Sequence, residues 1–400
     1  MSVFLHQFLG ASSIEFMCKY VVVLWLLAGS AAAAATGVGF TFLGEKILVP
    51  VAINGVGPYP FVLDVCAPGT VIDSDVAGFV KLPEVRGVRA TRPTTSGKEI
   101  AGTGAEVATL ECGKAVGRNL AVTVLDLRTF KRRLGTPVAG ILTGREFGGH
   151  VRIDFAAGVV DFSTPETAMA ATDPGVVPFE LADACRPVVS GMLDGQHVVP
   201  FAIDTTLAAT ISAPEAMLRD LGLISDSTRR LELDAPPIGQ GHPGQTQVRL
   251  ESVRVGAAEI RDPICSLGVG GQLARPGARL GTGFLRRFRV TLDFDAKLAR
   301  FEPVDATQPL RDPPLRGYGV GLWRYDGAYW MIWVAQKSPA AKAGLVSGGI
   351  LTAVDGKDLR GMGYDAVVAL LQPHQDTKTT ISVLQGDDTH TVELVPEDLL

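Results

Sequence analysis

Residues 54–64 read NGVGPYPFVLD, and residues 194–204 read DGQHVVPFAID. Both stretches begin with a tight-turn pair, Asn-Gly or Asp-Gly, of the kind that joins two strands of a hairpin. Both then run through Pro-Phe and two apolar residues into an aspartate, which is Asp64 in the first stretch and Asp204 in the second. The pattern predicts a hairpin whose second strand ends on an acidic side chain, built twice in one chain.

A second pair of matching stretches extends this repeat. LTG at 142–144 leads to VRIDF at 151–155, and GTG at 281–283 leads to VTLDF at 290–294. The two aspartates of these stretches, Asp154 and Asp293, are 139 positions apart, and Asp64 and Asp204 are 140 apart. Two anchors at nearly the same offset indicate two copies of one structural unit.

Each unit also contains a glycine-flanked stretch between its anchors. These stretches are Gly102-Thr103-Gly104 and Gly239-Gln240-Gly241, and an alternating strand follows each of them. We expect them to be mobile hairpin tips that lie over a cleft. Helical periodicity is sparse, with short candidates at 213–221 and 283–287, so both units are predicted to be all-β.

The composition sets broad limits on function. The chain is 46% hydrophobic and 20% charged, carries a formal net charge of −5, and is rich in Gly (46) and Pro (25). Abundant turn residues favour many short strands. Because there is no Lys/Arg-rich block, we expect no nucleic-acid partner. The six histidines are scattered and show no zinc spacing, so we predict no metal.

The N-terminal residues have the order of a secretory signal. Lys19 precedes an apolar run at 21–27, and small residues follow from Ala28 to Ala35. The residues before Met17 carry Glu15 but no Lys or Arg, which makes Met17 a more natural start. We expect residues 1–35 to be removed, leaving a periplasmic or secreted protein with no stable membrane anchor. An uncleaved N-terminal anchor is the alternative.

Export implies an oxidising compartment. Four cysteines follow the signal segment, and they allow three pairings. We expect a disulfide between Cys185 and Cys265, because both fall in the second unit.

Packing the two units about a pseudo-twofold axis would bring Asp64 and Asp204 together. Two carboxyl groups at close range share one proton over a range of pH, because both cannot ionise cheaply. The ionised carboxyl takes a proton from a water molecule, while the protonated one polarises a peptide carbonyl. This arrangement predicts hydrolysis of a polypeptide substrate without a covalent intermediate.

Residues 49–73, VPVAINGVGPYPFVLDVCAPGTVID, resemble the catalytic strand of retropepsin-like aspartic proteases, where apolar residues lead into Asp-Thr-Gly-Ala. Residues 280–294, LGTGFLRRFRVTLDF, resemble the apolar-apolar-Gly strand of the same fold. The resemblance covers residues 40–303, once per unit. It implies a paired-lobe β fold, peptide-bond hydrolysis and no cofactor, with Asp64 and Asp204 as the catalytic residues.

The chain departs from that family beside each aspartate. Val65 and Cys66 follow Asp64, while Thr205 and Thr206 follow Asp204. The family has a hydroxyl residue and then Gly, and the hydroxyl bonds across the lobe interface. Val65 cannot make that bond, although Thr205 can, and the Cys66 side chain crowds the place of the Gly.

Several interpretations therefore stay open. The first is an active aspartic endopeptidase. The second is a catalytically inactive, protease-like peptide-binding or scaffold protein, and the third is a purely structural envelope-associated protein. A fourth uses the Cys66 thiol as nucleophile, although the sequence places no His or Asn partner beside it.

A different pattern follows the Asp312-Pro313-Pro314 linker. Strands are predicted at 317–322, 329–334, 351–354, 379–384 and 389–394, with helices after Ser338 and from Asp365. GYGV at 317–320, SPAAKAGLVSGGI at 338–350 and TAVDGK at 352–357 resemble a PDZ domain of bacterial exported proteases, over residues 314–396.

The PDZ resemblance implies a peptide that adds as a strand beside Gly319, with its terminal carboxylate on backbone N–H groups. Tyr318, Gly319 and Val320 would form this peptide-binding site, and the groove would reach the helix that begins at Asp365. The alternative is a PDZ fold that serves only to pack against the lobes.

The predicted fold class is mainly β, with two acid-protease-like β lobes related by the internal repeat and a PDZ-like α+β domain. The predicted segments are a signal peptide at 1–35, lobes at 36–170 and 171–310, and the PDZ-like domain at 314–396.

Overall fold

The two predicted turns have the same backbone conformation. Asn54 and Gly55 have φ values of 50° and 75°, and Asp194 and Gly195 have values of 47° and 69°. Two successive residues with positive φ match the twist of a two-residue hairpin. In each turn the first side chain also accepts a backbone N–H from a neighbouring strand, Thr109 for Asn54 (3.0 Å) and Ser252 for Asp194 (2.9 Å).

The structure is a computed structural model that describes residues 37–43, 46–93, 99–134, 136–163, 168–233, 245–268, 277–305, 307, 310–325, 329–372 and 377–400. We call residues 37–163 the first lobe, 168–305 the second lobe and 310–400 the C-terminal domain. The domain boundaries given above stay predictions. The fold is mainly β, as predicted.

The first lobe contains β1 (Val38–Gly39), β2 (Thr41–Leu43), β3 (Lys46–Ile53), β4 (Val56–Leu63), β5 (Val71–Asp73), α1 (Ser74–Phe79), β6 (Glu84–Pro93), β7 (Glu99–Cys112), β8 (Ala115–Leu125), α2 (Arg128–Leu134), β9 (Gly140–Leu142), a 3₁₀ turn (Arg145–Phe147), β10 (His150–Asp154) and β11 (Val159–Asp161).

The second lobe contains β12 (Val176–Ala182), β13 (Arg186–Leu193), β14 (His197–Ile203), β15 (Ile211–Pro214), α3 (Glu215–Asp220), β16 (Arg230–Leu233), β17 (Gln245–Arg249), β18 (Ser252–Val255), β19 (Ala258–Arg261), β20 (Ile264–Gly268), β21 (Ala278–Leu280), α4 (Thr282–Leu285), β22 (Phe288–Asp293) and β23 (Leu298–Pro303).

The C-terminal domain contains β24 (Arg316–Gly317), β25 (Val320–Tyr325), β26 (Tyr329–Val334), α5 (Pro339–Lys342), β27 (Ile350–Val354), β28 (Lys357–Asp358), α6 (Tyr364–Leu370), β29 (Thr379–Gln385), β30 (Asp388–Leu394) and β31 (Glu397–Asp398).

Strand pairing confirms the internal repeat. β4 lies parallel to β9 with Leu63 opposite Leu142, and β14 lies parallel to β21 with Ile203 opposite Leu280. In each lobe the next strand, β5 or β15, then runs antiparallel to β9 or β21. Each aspartate therefore leaves the end of a strand that is held between two others.

The lobes are joined edge to edge. β10 of the first lobe pairs antiparallel with β22 of the second, from His150 opposite Asp293 to Asp154 opposite Arg289. This ladder makes β1, β10 and β11 part of a 15-stranded sheet with the second lobe, while β2 to β9 form an eight-stranded sheet. One cluster of buried apolar side chains, including Phe61 and Phe201, runs through both lobes.

The C-terminal domain has a core of its own around Trp330, Ile332 and Val367. Its six-stranded sheet has the order β25-β26-β27-β29-β30, with β28 on β27. The predicted cap of α5 is present, because the Ser338 hydroxyl accepts the N–H of Ala341 at 3.3 Å. The predicted strands and both helices of this domain are confirmed within the described residues.

The C-terminal domain also packs on both lobes. Helix α2 of the first lobe lies against β25. On the second lobe, Leu233 forms a bridge with Ala335, and the N–H of Gln336 donates to the Glu232 carbonyl at 2.8 Å. The Asp312 segment, predicted as a linker, is firmly held: the Asp312 carboxylate is buried and accepts from the Thr210 hydroxyl and the Ile264 N–H, each at 2.7 Å.

One expectation about the glycine-flanked stretches was wrong, and two other expectations concern residues outside the described ones. Gly102-Thr103-Gly104 lies inside β7 and not at a hairpin tip, because β6 and β7 stay paired up to Pro93 opposite Glu99. A side chain at Gly102 would strike the Val124 carbonyl, so the glycine permits close strand packing. Gly239-Gln240-Gly241 and the signal segment 1–35 fall outside the described residues.

The expected Cys185–Cys265 disulfide was also wrong. Cys66, Cys112, Cys185 and Cys265 are all free thiols. Cys265 lies within β20, paired with Ile211 and Val248, whereas Cys185 lies in the turn between β12 and β13. In the described part of the chain, no helix is long and apolar enough to cross a membrane.

Candidate active site

Asp64 and Asp204 occupy equivalent places, one residue beyond β4 and β14. The N–H of Asp64 donates to the Leu142 carbonyl at 2.8 Å, and the N–H of Asp204 donates to the Leu280 carbonyl at 2.9 Å. Each backbone is thus fixed to the strand beside it. The structure brings both side chains into one site, where the charge of Asp204 acts on Asp64.

The two aspartate loops are bonded to each other through Thr205. Its buried hydroxyl accepts the N–H of Val65 at 3.2 Å and donates to the Leu63 carbonyl at 2.9 Å. One side chain of the second lobe therefore contacts the residues on both sides of Asp64. This is the cross-lobe bond that the family resemblance implies for Thr205.

Cys66 makes the corresponding bond from the first lobe. Its thiol donates to the Ile203 carbonyl at 2.7 Å. Ile203 directly precedes Asp204, as Leu63 directly precedes Asp64, so the two carbonyls are equivalent acceptors. The thiol thus contacts the carbonyl that a hydroxyl at position 65 was expected to reach. The expectation that Cys66 only crowds this space was incomplete, since its side chain also links the loops.

The thiol of Cys66 is held in its protonated form. Burial raises the pKa of the Cys66 thiol well above its ordinary value, and the negative charges of Asp204 and Asp64 raise it further. A thiolate is the nucleophilic form of cysteine, and this environment disfavours it. The geometry therefore favours Cys66 as a hydrogen-bond donor and speaks against the nucleophile interpretation.

The carboxylate of Asp204 is surrounded by donors. Oδ1 accepts the N–H of Thr206 at 2.9 Å and its hydroxyl at 2.7 Å. Oδ2 lies 3.3 Å from Nη1 of Arg279, which projects from β21. Lys46 supports the same loop, because its ammonium donates to the Thr206 carbonyl at 2.6 Å. Hydrogen bonds and a nearby cation both favour the ionised form of a carboxyl group.

Asp64 has the opposite environment. Burial, followed by the negative charge of Asp204, raises the pKa of Asp64 to about 7, while hydrogen bonds from Cys66 and Ala67 and the charge of Lys46 act in the lowering direction. The Cys66 N–H donates to Asp64 Oδ1 at 2.9 Å. The site thus holds one buried carboxyl group that is surrounded by protein hydrogen-bond donors. Beside it lies Asp64, whose pKa burial raises to about 7.

Arg145 supports the loop that follows Asp64 through a hydrogen bond to its backbone. Its guanidinium donates to the Ala67 carbonyl at 2.9 Å and to the Ala184 carbonyl at 3.3 Å, and it lies over the Phe294 ring at 5.6 Å from the centroid. It therefore connects the Asp64 loop with the turn that holds Cys185. In the same region, Glu146 accepts from the hydroxyls of Thr70 (2.5 Å) and Thr143 (2.7 Å).

Sequence reasoning missed Lys46, Arg145 and Arg279. One signal was available for Arg279, since aligning the two repeats on Leu142 and Leu280 places Arg279 opposite Ile141. A charge in one copy of an otherwise apolar strand is unusual. Nothing in the sequence marks Lys46 or Arg145.

The predicted peptide-binding residues of the C-terminal domain lie together. Tyr318 is buried and its hydroxyl bonds to that of Thr379 at 2.6 Å, so its side chain belongs to the core. Gly319 has a φ of 76°, and its carbonyl accepts the N–H of Ala335 at 2.8 Å. Val320 begins β25 opposite Val334. Any ligand contact at Tyr318 would therefore be made by its backbone, and peptide binding at these residues stays a prediction.

No group of three or more His, Cys, Asp or Glu side chains among the described residues could hold a metal ion.

Comparison with known proteins gives matches to parts of this chain. A family model described as aspartyl protease matches residues 49–147, and one described as PDZ domain matches residues 332–385. No curated protein matches the chain. A similar solved structure is a retropepsin-like aspartic protease from Rickettsia conorii, 16% identical over 32% of this chain and 89% of that chain, with a TM-score of 0.25. An aspartyl-protease-like lobe and a PDZ domain are thus combined in one chain.

Proposed function

We propose that this chain is an aspartic endopeptidase that hydrolyses polypeptides with a water molecule held between Asp64 and Asp204. The observation that carries the proposal is the matched pair of carboxyl groups. Each lies one residue beyond an equivalent strand, each has its backbone N–H bonded to the neighbouring strand, and the two loops are linked by the Thr205 hydroxyl and the Cys66 thiol. Such rigid support is what general acid–base catalysis requires.

The difference between the two environments supports the chemistry. A pair in which one member is ionised and the other protonated can remove a proton from water and donate one to the carbonyl oxygen. A pKa of about 7 for Asp64 keeps the singly protonated pair populated up to neutral pH. The substitutions at Val65, Cys66 and Thr206 leave this arrangement in place.

Peptide-cleavage assays would test the proposal. Purified full-length protein is incubated with a mixed peptide library from pH 3 to pH 8, and new termini are identified by mass spectrometry. Asp64→Asn and Asp204→Asn are compared with Asp387→Asn, a control at an exposed turn of the C-terminal domain. Cleavage that both site variants lose and the control keeps supports the proposal.

The inactive peptide-binding alternative is equally compatible with one observation, the ion pair in which Arg279 engages one oxygen of Asp204. If folded protein cuts no peptide at any pH, or if cutting survives both Asn substitutions, the endopeptidase proposal is overturned. Direct binding of library peptides to the lobes would then support the alternative.

We also propose that the PDZ domain binds the C-terminus of a substrate or partner polypeptide at Tyr318, Gly319 and Val320. The conformation of Gly319 supports this, because its positive φ and its close packing against Ser338 hold the loop that leads into β25 in a fixed position. Isothermal titration with C-terminal peptides, free and amidated, tests for recognition of the carboxylate. Equal affinity for both forms would contradict it.

Export to the periplasm or beyond is the remaining part of the proposal. It is supported by Lys19, the apolar run 21–27 and the small residues up to Ala35. Fractionation of cells that express the tagged full chain, followed by N-terminal sequencing, checks it. Recovery of an uncut chain in the cytoplasm would contradict it.

A further inference from the structure

The ion pair between Arg279 and Asp204 bears on which carboxyl group acts as the acid and which as the base. We propose that Arg279 is a positioning residue that keeps Asp204 ionised, so that Asp64 carries the shared proton and donates it to the substrate carbonyl. This inference rests on the proposed endopeptidase function and assigns the acid and the base within it.

The first argument is geometric. Nη1 of Arg279 lies 3.3 Å from Asp204 Oδ2, and the two side chains are 29% and 11% exposed. A guanidinium stays charged at every pH at which a protein is folded. Oδ1 is occupied separately by the N–H and hydroxyl of Thr206. Both oxygens of Asp204 therefore face donors, an arrangement that suits a carboxylate and leaves a proton poorly placed.

The second argument comes from comparing the lobes. Arg279 stands opposite Ala202 in the β14–β21 ladder, and Ile141 stands opposite Val62 in the β4–β9 ladder. The two positions are equivalent, because each directly precedes the leucine that receives the N–H of the aspartate. A guanidinium therefore accompanies Asp204 at the place where an aliphatic chain accompanies Asp64.

The other charged and titratable groups near the pair leave this assignment in place, although the charge of Lys46 acts against it at Asp64. Lys46, from β3, is bonded to the Thr206 carbonyl and thus to the loop that holds Asp204. Its charge also acts on Asp64, but burial and the charge of Asp204 outweigh it. Arg186 acts to lower the pKa of the Cys66 thiol and Cys185 acts to raise it. The thiol stays protonated because burial and the charges of Asp204 and Asp64 have the larger effects.

The assignment fixes the path of each proton. Asp204 takes a proton from water as the water oxygen bonds to the peptide carbon, and Asp64 gives its proton to the carbonyl oxygen. The tetrahedral intermediate then loses one hydroxyl proton to Asp64 as the carbonyl re-forms. Asp204 gives its proton to the leaving nitrogen as the C–N bond breaks. The products are a carboxylic acid and an amine, and the pair returns to its starting state.

The decisive experiment titrates the resting protein without substrate. Full-length protein labelled with ¹³C at the aspartate carboxyl carbon is followed by NMR from pH 3 to pH 8.5, with Asp64→Asn and Asp204→Asn used for assignment. We expect the Asp64 signal to titrate near neutrality. The Asp204 signal should be that of a carboxylate wherever Asp64 still carries its proton. A wild-type Asp204 that carries the proton at pH 5 to 6 would overturn the assignment.

Variants at position 279 test whether Arg279 is what keeps Asp204 ionised. In Arg279→Gln the Asp204 signal should titrate at least one pH unit higher than in wild type, and Arg279→Lys should restore most of that shift. Arg118→Gln, at an exposed position of β8, is the control and should leave both signals unchanged. If Arg279→Gln stays folded and leaves the Asp204 titration unchanged, Arg279 is not the positioning residue.

The same variants separate this inference from the proposed function. In cleavage assays the acid limb of the kcat–pH profile should move up by about one unit in Arg279→Gln and return in Arg279→Lys, with KM changed less than kcat. If no peptide is cut but the titrations come out as expected, the endopeptidase proposal fails and the assignment of charge stands.

Discussion

The two aspartate loops share one backbone design but differ in almost every side chain that surrounds the carboxyl groups. Asp204 is followed by two threonines and faces Arg279, whereas Asp64 is followed by Val65 and Cys66 and faces no cation on its own β9. The backbone hydrogen bonds of the two aspartates are nearly equal in length: the Asp64 N–H lies 2.8 Å from the Leu142 carbonyl, and the Asp204 N–H lies 2.9 Å from the Leu280 carbonyl. The repeat thus fixes where the carboxyl groups lie, while the side chains decide how strongly each holds a proton.

The cross-lobe bonds show the same difference. Thr205 makes two bonds into the first loop, and Cys66 makes one bond into the second. Departure from the family pattern at positions 65 and 66 therefore removes one contact and supplies another, so that both loops stay linked.

The largest effect is expected from the carboxyl groups themselves. Asp64→Asn and Asp204→Asn should each lower kcat by roughly 10²–10⁴-fold, the range for loss of a positioned acid or base. Because the two groups act as one unit, the kcat of the double variant should be no lower than that of the less active single variant. Steady-state kinetics on one cleaved peptide checks this, and strictly multiplicative losses would show that the carboxyl groups act independently.

The second prediction concerns stability and pH. The folded pKa of Asp64, about 7, lies above its ordinary value of 3.8, so the folded state binds the proton more tightly than the unfolded state. The free energy of unfolding should therefore fall as pH rises from about 4 to about 7 and level off above that range. Urea titrations at pH 4.5, 6 and 7.5 measure this fall.

Asp64→Asn is the matched test of that pH dependence. The amide cannot ionise, so this variant should lose the part of the fall that Asp64 contributes and exceed wild type in stability at pH 7.5. Unfolding curves with an identical pH dependence in both proteins would show that Asp64 titrates normally.

The third prediction compares the two linking side chains. Thr205→Val leaves the buried Leu63 carbonyl and Val65 N–H without their partner and should cost about 1–3 kcal/mol of unfolding free energy. Cys66→Gly removes one bond from a weak donor and should cost less, about 1 kcal/mol. Thermal denaturation of both variants ranks their losses of unfolding free energy, with Thr205→Ser as the conservative control. A larger loss in Cys66→Gly than in Thr205→Val would contradict the prediction.

The smallest effect is expected from Arg145, which supports the loop that follows Asp64. Arg145→Met should lower stability by less than about 1 kcal/mol. The bonds to Ala67 and Ala184 are part-buried and exposed, so water can replace them, and the methylene packing is kept. Its kcat should fall more than its KM rises, since the Asp64 loop is less well held. Unchanged kinetics would show that Thr205 and Cys66 position the loop without Arg145.

Much of this architecture was readable from the sequence because its determinants are local. The turn pairs at Asn54 and Asp194, the aspartates ten positions later and the capped helix after Ser338 all depend on neighbouring residues. Each was confirmed where the structure describes it. Sequence periodicity also sufficed for the strands of the C-terminal domain.

The parts that escaped sequence reasoning depend on contacts between distant segments. Lys46 meets Thr206 across 160 positions, and Arg279 meets Asp204 across 75. Helix α1 was missed although its N-cap, Asp73, is a local signal that accepts the Asp75 N–H. Only the second bond of Asp73, from the Leu127 N–H, joins distant segments. The disulfide prediction failed for the same reason, since membership of one lobe does not place two cysteines side by side.

The β10–β22 ladder has a consequence for how the carboxyl pair responds to dilution. Because both aspartates belong to one covalent chain and the lobes share a sheet, bringing them together is a unimolecular event. The pair is therefore as complete at nanomolar as at micromolar protein, whereas a site assembled from separate subunits is lost below their dissociation constant.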